Sequence, residues 1–291
     1  MTQHFIVIGN PIAHSKSPQI HTLFAEQAGI DIHYQRQYCP DDSASFTAVV
    51  EAFFHGGGVG ANVTVPFKQV AYDCCLSRGG LSAHAKIAGA VNTILLNQTL
   101  LKNGAPLAEA LYGDNTDGQG LINHMTSLGW PLAGARVALI GAGGAARGII
   151  LPLIEAGIAS LTIANRTPDK ATALVNELSA ASPVIAARHI DACDTAQLSG
   201  AFDIIINATS IGLSADTLPL GETLNCQYAY DMMYGRPLPF LQHFAARGAQ
   251  ISGGYGMLIG QAALSFERWT GQQVDVAKAT DILSKSESMS I

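Results

Sequence analysis

A short apolar run followed at once by small residues marks the stretch most suited to holding a phosphate. Residues 137–140 are predicted to form a buried strand, and residues 141–146, Gly-Ala-Gly-Gly-Ala-Ala, open a predicted helix. This order fits the G-x-G-x-x-[G/A] fingerprint of dinucleotide sites, with Ala146 in the last position. Gly141 permits the tight turn, and Gly143 lets the backbone approach a pyrophosphate because no Cβ stands in the way. The N–H groups at the positive end of the helix then face the phosphates.

The next predicted strand, residues 161–164, ends in Asn165-Arg166-Thr167, where a dinucleotide fold reads the adenosine ribose. A site for NAD normally places Asp or Glu there to bind the 2′-hydroxyl, and this tip has neither. It has Arg166, with Lys170 one helical turn further on, and both could pair with a 2′-phosphate. Thr167 before a proline is typical of a helix N-cap, which presents a further helix N-terminus to an anion. The pattern favours NADP over NAD; the alternative is that the two basic residues are a solvated helix start.

A second group of polar side chains lies in the N-terminal part of the chain. Asn62 and Thr64 face the same way on a predicted strand over residues 60–65, because side chains alternate along a strand. Lys68 follows on the first turn of a helix that Pro66 is predicted to open. A lysine beside the positive end of a helix is an unusual place for a merely solubilising charge. We therefore expect three polar groups to converge at this strand end.

Two other turns carry polar residues beyond what capping requires. Ser15 and Ser17 follow the first predicted strand, and capping of the next helix explains Ser17 well and Ser15 poorly. Asp114 or Thr116 would be an adequate cap for the helix predicted from about residue 118, which leaves Asp117 without a structural duty. These residues are candidates for ligand binding.

Alternating strands and helices are predicted around these residues, which indicates an α/β chain. Glycine, proline and asparagine mark the turns, including Asn103-Gly104, which is expected to join two strands. The predicted strands cover residues 5–8, 33–39, 60–65, 87–96, 137–140, 161–164, 184–187, 202–206, 228–231 and 250–252. The predicted helices include residues 17–28, 45–54, 145–155, 168–179, 239–247, a long helix after Gly254, and 274–285.

Bulk composition limits the possible functions. The 291 residues suit two domains, and 48% hydrophobic with 13% charged residues suit a compact soluble protein. The formal net charge of −6 argues against a nucleic-acid surface. Five cysteines without a C-x-x-C pair indicate reduced thiols in a cytoplasmic protein, and nine histidines show no metal-binding spacing. The sequence shows neither a signal peptide nor an apolar run long enough to cross a membrane.

Taken together, the motifs resemble those of shikimate dehydrogenases in order and spacing over nearly the whole chain. The motif at 62–68, Asn-Val-Thr-Val-Pro-Phe-Lys, is highly specific, whereas the glycine motif is not. The others are Ser-Lys-Ser-Pro at 15–18, Gly-Ala-Val-Asn-Thr at 89–93, Asn-Thr-Asp-Gly at 115–118, Asn-Arg-Thr at 165–167, Asn-Ala-Thr-Ser at 207–210, Tyr-Asp-Met at 230–232 and Gly-Tyr-Gly-Met-Leu at 254–258 with Gln261.

The resemblance implies reversible reduction of 3-dehydroshikimate to shikimate by NADPH, in chorismate and aromatic amino-acid biosynthesis. It implies that Lys68 and Asp117 are the catalytic pair. A cationic lysine would stabilise negative charge on the carbonyl oxygen and give a proton, while the carboxylate orients it. The implied substrate-binding residues are Ser15, Ser17, Asn62, Thr64, Lys68, Asn92, Asp117, Tyr234 and Gln261. The implied cofactor-binding residues are Gly141, Ala142, Gly143, Gly144, Ala145, Asn165, Arg166, Thr167, Lys170, Thr209, Ser210, Met232, Gly254 and Met257; no metal site is implied.

The family fold places a substrate-binding α/β domain, with a mixed and mainly parallel sheet, at residues 1–116 plus 254–291. A Rossmann-like NADP-binding domain is expected at residues 117–253. Two departures from the family pattern occur: Gly253 stands where Asp is usual, and Leu238 replaces the Thr of a Thr-Pro-Phe motif. Neither touches the implied catalytic pair, and both monomer and homodimer are possible.

Two other functions compete with this interpretation. A quinate/shikimate dehydrogenase of the same fold would also accept quinate, which carries an extra hydroxyl at the carboxylate-bearing carbon. The Arg166 site favours NADP and hence the biosynthetic activity. A nonenzymatic NADP-sensing protein on the same fold would be favoured by loss of Lys68 or Asp117, and both are present.

Overall fold

The computed structural model describes residues 1–209 and 220–288 and divides the chain into two compact units. The first unit comprises Met1–Gly120 and Ile259–Ile291, and the second comprises Leu121–Leu258. The assignment of substrate and cofactor roles to domains with the boundaries 116/117 and 253/254 stays a prediction. The fold class is confirmed: the chain is α/β, with two mainly parallel sheets.

A five-stranded mixed sheet forms the frame of the first unit, in the order β2-β1-β3-β4-β5. Strand β1 pairs in parallel with β2 and β3, whereas β4 is antiparallel to β3 and β5. The strands are β1 (Gln3–Gly9), β2 (Ile32–Tyr38), β3 (Gly60–Val63), β4 (Thr93–Leu96) and β5 (Leu111–Asp114). The helices are α1 (Ser17–Ala28), α2 (Ser43–His55), α3 (Lys68–Leu76), α4 (Ala83–Ala88), α5 (Gln98–Lys102) and a 3₁₀ turn (Leu107–Glu109).

Alternation along β1 separates two apolar layers in this unit. Ile6 and Ile8 face a core that includes Phe46, Phe54 and Phe67 from α2 and the turn before α3. Phe5 and Val7 face the other side with Tyr34 and Trp269. Gly60 is required there, because a Cβ at this position would overlap the indole ring of Trp269.

The second unit is built on a six-stranded, wholly parallel sheet in the order β11-β10-β9-β6-β7-β8. Its strands are β6 (Arg136–Ile140), β7 (Ser160–Asn165), β8 (Ile190–Asp194), β9 (Ala201–Asn207), β10 (Asn225–Asp231) and β11 (Gln250–Gly253). Its helices are α7 (Gly144–Glu155), α8 (Pro168–Ala181), α9 (Pro183–Ala186) and α10 (Pro239–Ala245), with a 3₁₀ turn at Thr195–Gln197. The switch in strand order between β6 and β9 is the point at which doubly wound sheets bind ligands.

Three further helices complete the chain. Helix α6 (Asp117–Ser127) begins in the first unit and ends in the second, and α11 (Tyr255–Thr270) returns from the second unit to the first. Helix α12 (Val276–Ser288) follows. Among the described residues, no helix has the length and apolar character that a membrane crossing needs.

Several predicted elements differ from the structure. The strand predicted over 60–65 ends at Val63, and Asn103, predicted to lie in a turn between two strands, is instead the C-cap of helix α5. The strand predicted at 184–187 is wrong: Pro183 opens the short helix α9, whose first turn is capped by the Ser182 hydroxyl, and the strand lies at Ile190–Asp194. The strand predicted over 87–96 is shorter, since α4 extends to Ala88 and β4 begins at Thr93. The helix predicted from Pro66 begins two residues later, at Lys68.

Candidate active site

Lys68 and Asp117 meet as an ion pair although they are 49 residues apart in sequence. Lys68 is the first residue of α3, just after β3, and Asp117 is the first residue of α6, just after β5. The Lys68 Nζ lies 2.6 Å from the Asp117 Oδ2. Their side chains remain 32% and 23% exposed, so a ligand can reach both. The predicted catalytic pair is therefore assembled in the structure, and its role stays a prediction.

Asn92 joins this pair to one other predicted residue, Gln261. It is 2% exposed, and its amide nitrogen lies 2.9 Å from the Asp117 Oδ1 and 3.2 Å from the Gln261 Oε1. Its amide oxygen accepts from the Thr116 backbone N–H at 3.0 Å. The first unit thus brings four of the predicted substrate residues together: Lys68, Asn92, Asp117 and Gln261.

Asn62 lies underneath this group and not at its surface. It is 5% exposed, and its side-chain oxygen accepts from the Tyr34 hydroxyl at 2.7 Å. Its amide nitrogen lies 3.1 Å from both the Asn92 carbonyl oxygen and the Ser265 hydroxyl. Both polar atoms of Asn62 therefore have partners in the protein, so the geometry favours a supporting role. Contact between Asn62 and the substrate stays a prediction.

Ser265 and Thr93 belong to the same buried network, and sequence reasoning did not single them out as site residues. Both are fully buried, their hydroxyls lie 2.7 Å apart, and Ser265 also bonds to the Gln261 carbonyl oxygen at 3.1 Å. The spacing of Gln261 and Ser265 by four residues, on one helix face, is the signal that could have found Ser265.

Two predicted serine hydroxyls lie in the loop between β1 and α1. The Ser15 and Ser17 oxygens are 3.2 Å apart, and the Ser17 backbone N–H reaches the Ser15 hydroxyl at 3.3 Å. Ser17 is 8% exposed, whereas Ser15 is only half-buried. Thr64, also half-buried, follows the end of β3.

In the second unit, the predicted glycine turn has the expected backbone geometry. Gly141 has a φ of +115°, a backbone conformation that residues other than glycine adopt only with strain. Gly143 is the N-cap residue of α7, and Ala146 is fully buried. No atom of the described residues lies within 4 Å of the position that a Cβ on Gly143 or Gly144 would take. The space above the turn is open and lies at a helix N-terminus, as a pyrophosphate requires; Ala142 and Ala145 flank it.

The tip of β7 also has the predicted arrangement. Asn165 ends the strand and donates from its amide to the Thr167 carbonyl oxygen at 2.9 Å, which shapes the turn before α8. Thr167 occupies the N-cap position, but its side chain makes no capping hydrogen bond. Arg166 and Lys170 are both exposed, so their charges are accessible to a ligand.

The other predicted cofactor residues lie at the carboxyl ends of β9, β10 and β11. Thr209 donates to Asn207 at 2.7 Å, and Asn207 in turn donates to Asp231 at 2.9 Å. Burial raises the pKa of the Asp231 carboxyl. Gly254 must be glycine, because a Cβ would overlap the Met232 carbonyl oxygen.

The remaining predicted residues of this unit are placed as follows. Met257 is buried, and Tyr234 is 39% exposed with its ring 5.8 Å from that of Tyr255. Ser210 lies outside the described residues. The two departures from the family pattern are neighbours in space, since a Cβ on Gly253 would lie 3.3 Å from the Leu238 side chain. In the described part of the chain, no cluster of three His, Cys, Asp or Glu residues could hold a metal ion.

The parallel sheet has a glycine turn at its switch point, as dinucleotide-binding domains do. The same chain carries a lysine–carboxylate pair. Together these features define the class of nicotinamide-dependent oxidoreductases. Family models match three segments: residues 7–94 (shikimate dehydrogenase substrate binding domain), 125–214 (shikimate/quinate 5-dehydrogenase) and 254–283 (shikimate 5′-dehydrogenase C-terminal domain). The chain belongs to the shikimate dehydrogenase family.

Individual relatives agree with this assignment. The chain is 78% identical over 286 residues to a shikimate dehydrogenase (NADP(+)) from Psychrobacter arcticus. The matched region covers 98% of this chain and 99% of the relative. It is 48% identical to the enzyme of the same name from Acinetobacter baylyi, over 93% of this chain and 97% of the relative. The shikimate 5-dehydrogenase of Thermus thermophilus, solved in complex with NADP(H) and shikimate, has a TM-score of 0.77 and 30% identity over 96% of this chain and 97% of that one.

Proposed function

We propose that this chain catalyses the reversible, NADP-dependent interconversion of 3-dehydroshikimate and shikimate, with Lys68 and Asp117 as its catalytic pair. The biosynthetic direction is reduction by NADPH, on the route to chorismate and the aromatic amino acids. The observation that carries the catalytic assignment is the partly exposed 2.6 Å ion pair, whose carboxylate also accepts from Asn92. We also propose a cytoplasmic protein that acts on a small molecule as a monomer or homodimer.

The roles of the pair follow from the charge that the reaction creates. The nicotinamide, when bound, supplies or accepts the hydride. During reduction, negative charge develops on the carbonyl oxygen, and the Lys68 ammonium stabilises this charge and gives its proton to the oxygen. Asp117 holds the ammonium in place through its Oδ2. Asn92 fixes the other carboxylate oxygen, so the pair keeps one orientation.

The polar residues around the pair divide by chemistry. Two adjacent hydroxyl groups, Ser15 and Ser17, are donors suited to the substrate carboxylate. Asn92, Gln261 and Thr64 combine amide and hydroxyl groups, which can both donate to and accept from the ring hydroxyls. Asn62 supports Asn92 from below.

The residues of the second unit fit an NADP molecule. The open space above Gly143 and Gly144 leaves room for the pyrophosphate at the α7 N-terminus. Arg166 and Lys170 supply positive charge for a 2′-phosphate, and the Arg166 guanidinium can bind it in a bidentate manner. Glycine at 254 leaves the backbone next to Met232 free of side chain, where the nicotinamide is expected.

Initial rates of nicotinamide reduction test this proposal. Purified protein is mixed with shikimate or quinate, each with NADP or NAD. We expect the highest kcat/KM with shikimate and NADP. A higher value with quinate and NAD would favour the sister activity, to which the name of the matched shikimate/quinate family model also points. Binding of NADP without turnover of either substrate would favour a sensor.

A further inference from the structure

The edge strand β2 presents two residues to the loop that carries Ser15 and Ser17. Side chains alternate along a strand, so Tyr34 and Arg36 share one face. Strand β2 runs parallel to β1, with Tyr34 opposite Phe5 and Arg36 opposite Val7. Tyr34 is buried and Arg36 is exposed.

Arg36 holds the backbone of this loop by two hydrogen bonds to one atom. Its Nε and Nη2 groups donate to the Ser15 carbonyl oxygen at 2.9 and 2.6 Å. A charged guanidinium that donates twice fixes both the position and the direction of its acceptor. Two residues earlier, the Tyr34 hydroxyl donates to Asn62. Arg36 therefore holds Ser15 from the strand face that also carries Tyr34.

The restraint on Ser15 extends to its hydroxyl group. The Ser15 Oγ accepts from the Ser17 backbone N–H at 3.3 Å and lies 3.2 Å from the Ser17 Oγ. Helix α1 has no side-chain cap from its N-cap residue Lys16, so the Ser15 hydroxyl serves the first turn instead. Ser15 is therefore held by hydrogen bonds at both its carbonyl oxygen and its hydroxyl group.

In the described part of the chain, no ion pair neutralises the charge of Arg36. No carboxylate of the described residues forms a salt bridge with Arg36, in contrast to Arg78 and Arg268, which pair with Glu51 and Asp114. The chain carries a formal net charge of −6, which opposes the approach of an anionic substrate. A free positive charge beside the two hydroxyls offsets this repulsion locally.

We propose that Arg36 is a positioning residue for the substrate carboxylate, holding the Ser15–Ser17 hydroxyl pair and adding positive charge to it. This inference rests on the proposed function, because it takes Ser15 and Ser17 as the carboxylate site. It assigns Arg36 no contact with the reacting atoms. Its effect belongs to substrate affinity, whereas proton transfer belongs to Lys68 and Asp117.

Steady-state kinetics of three variants test the proposal. Arg36→Met removes both hydrogen bonds and the charge, Arg36→Lys keeps the charge with different donor geometry, and Lys102→Met removes a positive charge from exposed α5 as a control. We expect Arg36→Met to raise the KM for shikimate about tenfold, since hydrogen bonds from charged groups are involved. Arg36→Lys should recover part of this loss. For both Arg36 variants, kcat and the KM for NADP should stay within about twofold of the wild-type values. The control Lys102→Met should leave every kinetic constant unchanged.

Salt dependence separates the contribution of charge. The KM of the wild type should rise between about 0.05 and 0.5 M salt, because screening weakens attraction beyond a few ångströms, and the KM of Arg36→Met should rise less. Melting temperatures establish that each variant is folded.

The outcomes distinguish this inference from the proposed function. An active wild type with an Arg36→Met variant of unchanged shikimate KM overturns the inference alone. So does a fall in kcat with an equal rise in both KM values, which is the pattern of general structural damage. A wild type that neither binds nor oxidises shikimate overturns the proposed function and this inference with it.

Discussion

Partial burial is what makes the Lys68–Asp117 pair suitable for proton transfer. A fully exposed pair would be screened by water and held weakly, whereas a fully buried pair could not reach a substrate. The side-chain exposures of 32% for Lys68 and 23% for Asp117 lie between these limits. Asn92, almost fully buried, provides the rigid side of the arrangement.

Replacing Asp117 by Asn tests the role of the carboxylate. The amide has a similar shape, so substrate should still bind, but it cannot balance the Lys68 charge. We expect kcat to fall about 10²- to 10³-fold, in the range of general acid–base contributions, with a change in KM of less than about fivefold. A kcat within twofold of the wild type would remove Asp117 from the mechanism.

Arg166→Asp tests the basis of cofactor choice. A carboxylate at the β7 tip repels a 2′-phosphate and accepts a 2′-hydroxyl, so the ratio of kcat/KM for NADP to that for NAD should fall by at least about tenfold. Arg188→Asp, at another exposed position of the same unit, is the matched control and should leave the ratio unchanged. Equal losses for both cofactors in Arg166→Asp would mean that Arg166 does not read the 2′-phosphate.

At the scale of elements, turns determine where the site residues lie. Lys68 and Asp117 each begin a helix a few residues after a strand end, and Gly143 is the N-cap residue of α7 in the second unit. Helix starts expose N–H groups and carry partial positive charge, which favours the Asp117 carboxylate at the start of α6 and suits an anionic group at the N-terminus of α7.

The turn before α7 allows a test that separates structure from binding. Gly143 has an extended backbone with φ of −91°, and no described atom would contact its Cβ, so Gly143→Ala should change the melting temperature by less than about 2 °C. The added methyl group projects into the space assigned to the pyrophosphate, so the KM for NADP should rise about tenfold or more.

Gly254→Ala is the contrasting variant, because its Cβ meets the backbone of Met232 and should lower stability as well. If Gly143→Ala binds NADP as tightly as the wild type does, the pyrophosphate does not lie above this turn.

Local sequence predicted the turns better than the side-chain environments. Strand, glycine turn and helix around Gly141 depend only on neighbouring residues, and they are confirmed. The burial of Asn62 depends on Tyr34 and Ser265, which are 28 and 203 residues away, so no local pattern could reveal it. The strand expected at 184–187 is wrong for a local reason, because Ser182 caps and Pro183 opens a helix there.

For the whole molecule, the buried histidine His21 links stability to pH. It is completely buried, its ring stacks on Tyr34 at 4.4 Å, and neither ring nitrogen has a hydrogen-bond partner among the described residues. Burial lowers the pKa of His21 to about 3. An exposed histidine in the unfolded chain has a pKa near 6.5.

The sign of the pH effect follows from these two values. Between about pH 6.5 and 3, the unfolded chain binds a proton at His21 that the folded chain does not, so the free energy of unfolding falls as pH falls. One such group contributes a slope of up to about 1.4 kcal/mol per pH unit. His21→Phe, which fills the aromatic site without titrating, should have a shallower slope when urea unfolding is measured at several pH values. An unchanged slope would show that other groups account for the acid sensitivity.

The division into two units could be anticipated from length and from the order of motifs. The sequence could not reveal how widely separated segments build one hydrogen-bonded network in the first unit. Asn92 and Gln261 are 169 residues apart, yet their side chains lie at 3.2 Å. Helix α11 makes this possible, because it returns the chain to the first unit after the six-stranded sheet of the second unit.

The most direct measurement is the absorbance of reduced nicotinamide after wild-type protein is mixed with shikimate and NADP, with Lys68→Met mixed in parallel. Lysine and methionine have similar length, so the variant keeps the packing and loses the charge and the proton. We predict rapid reduction by the wild type and a kcat at least about 10²-fold lower for Lys68→Met. Turnover by Lys68→Met at the wild-type rate would contradict the proposal that the Lys68–Asp117 pair carries the reaction.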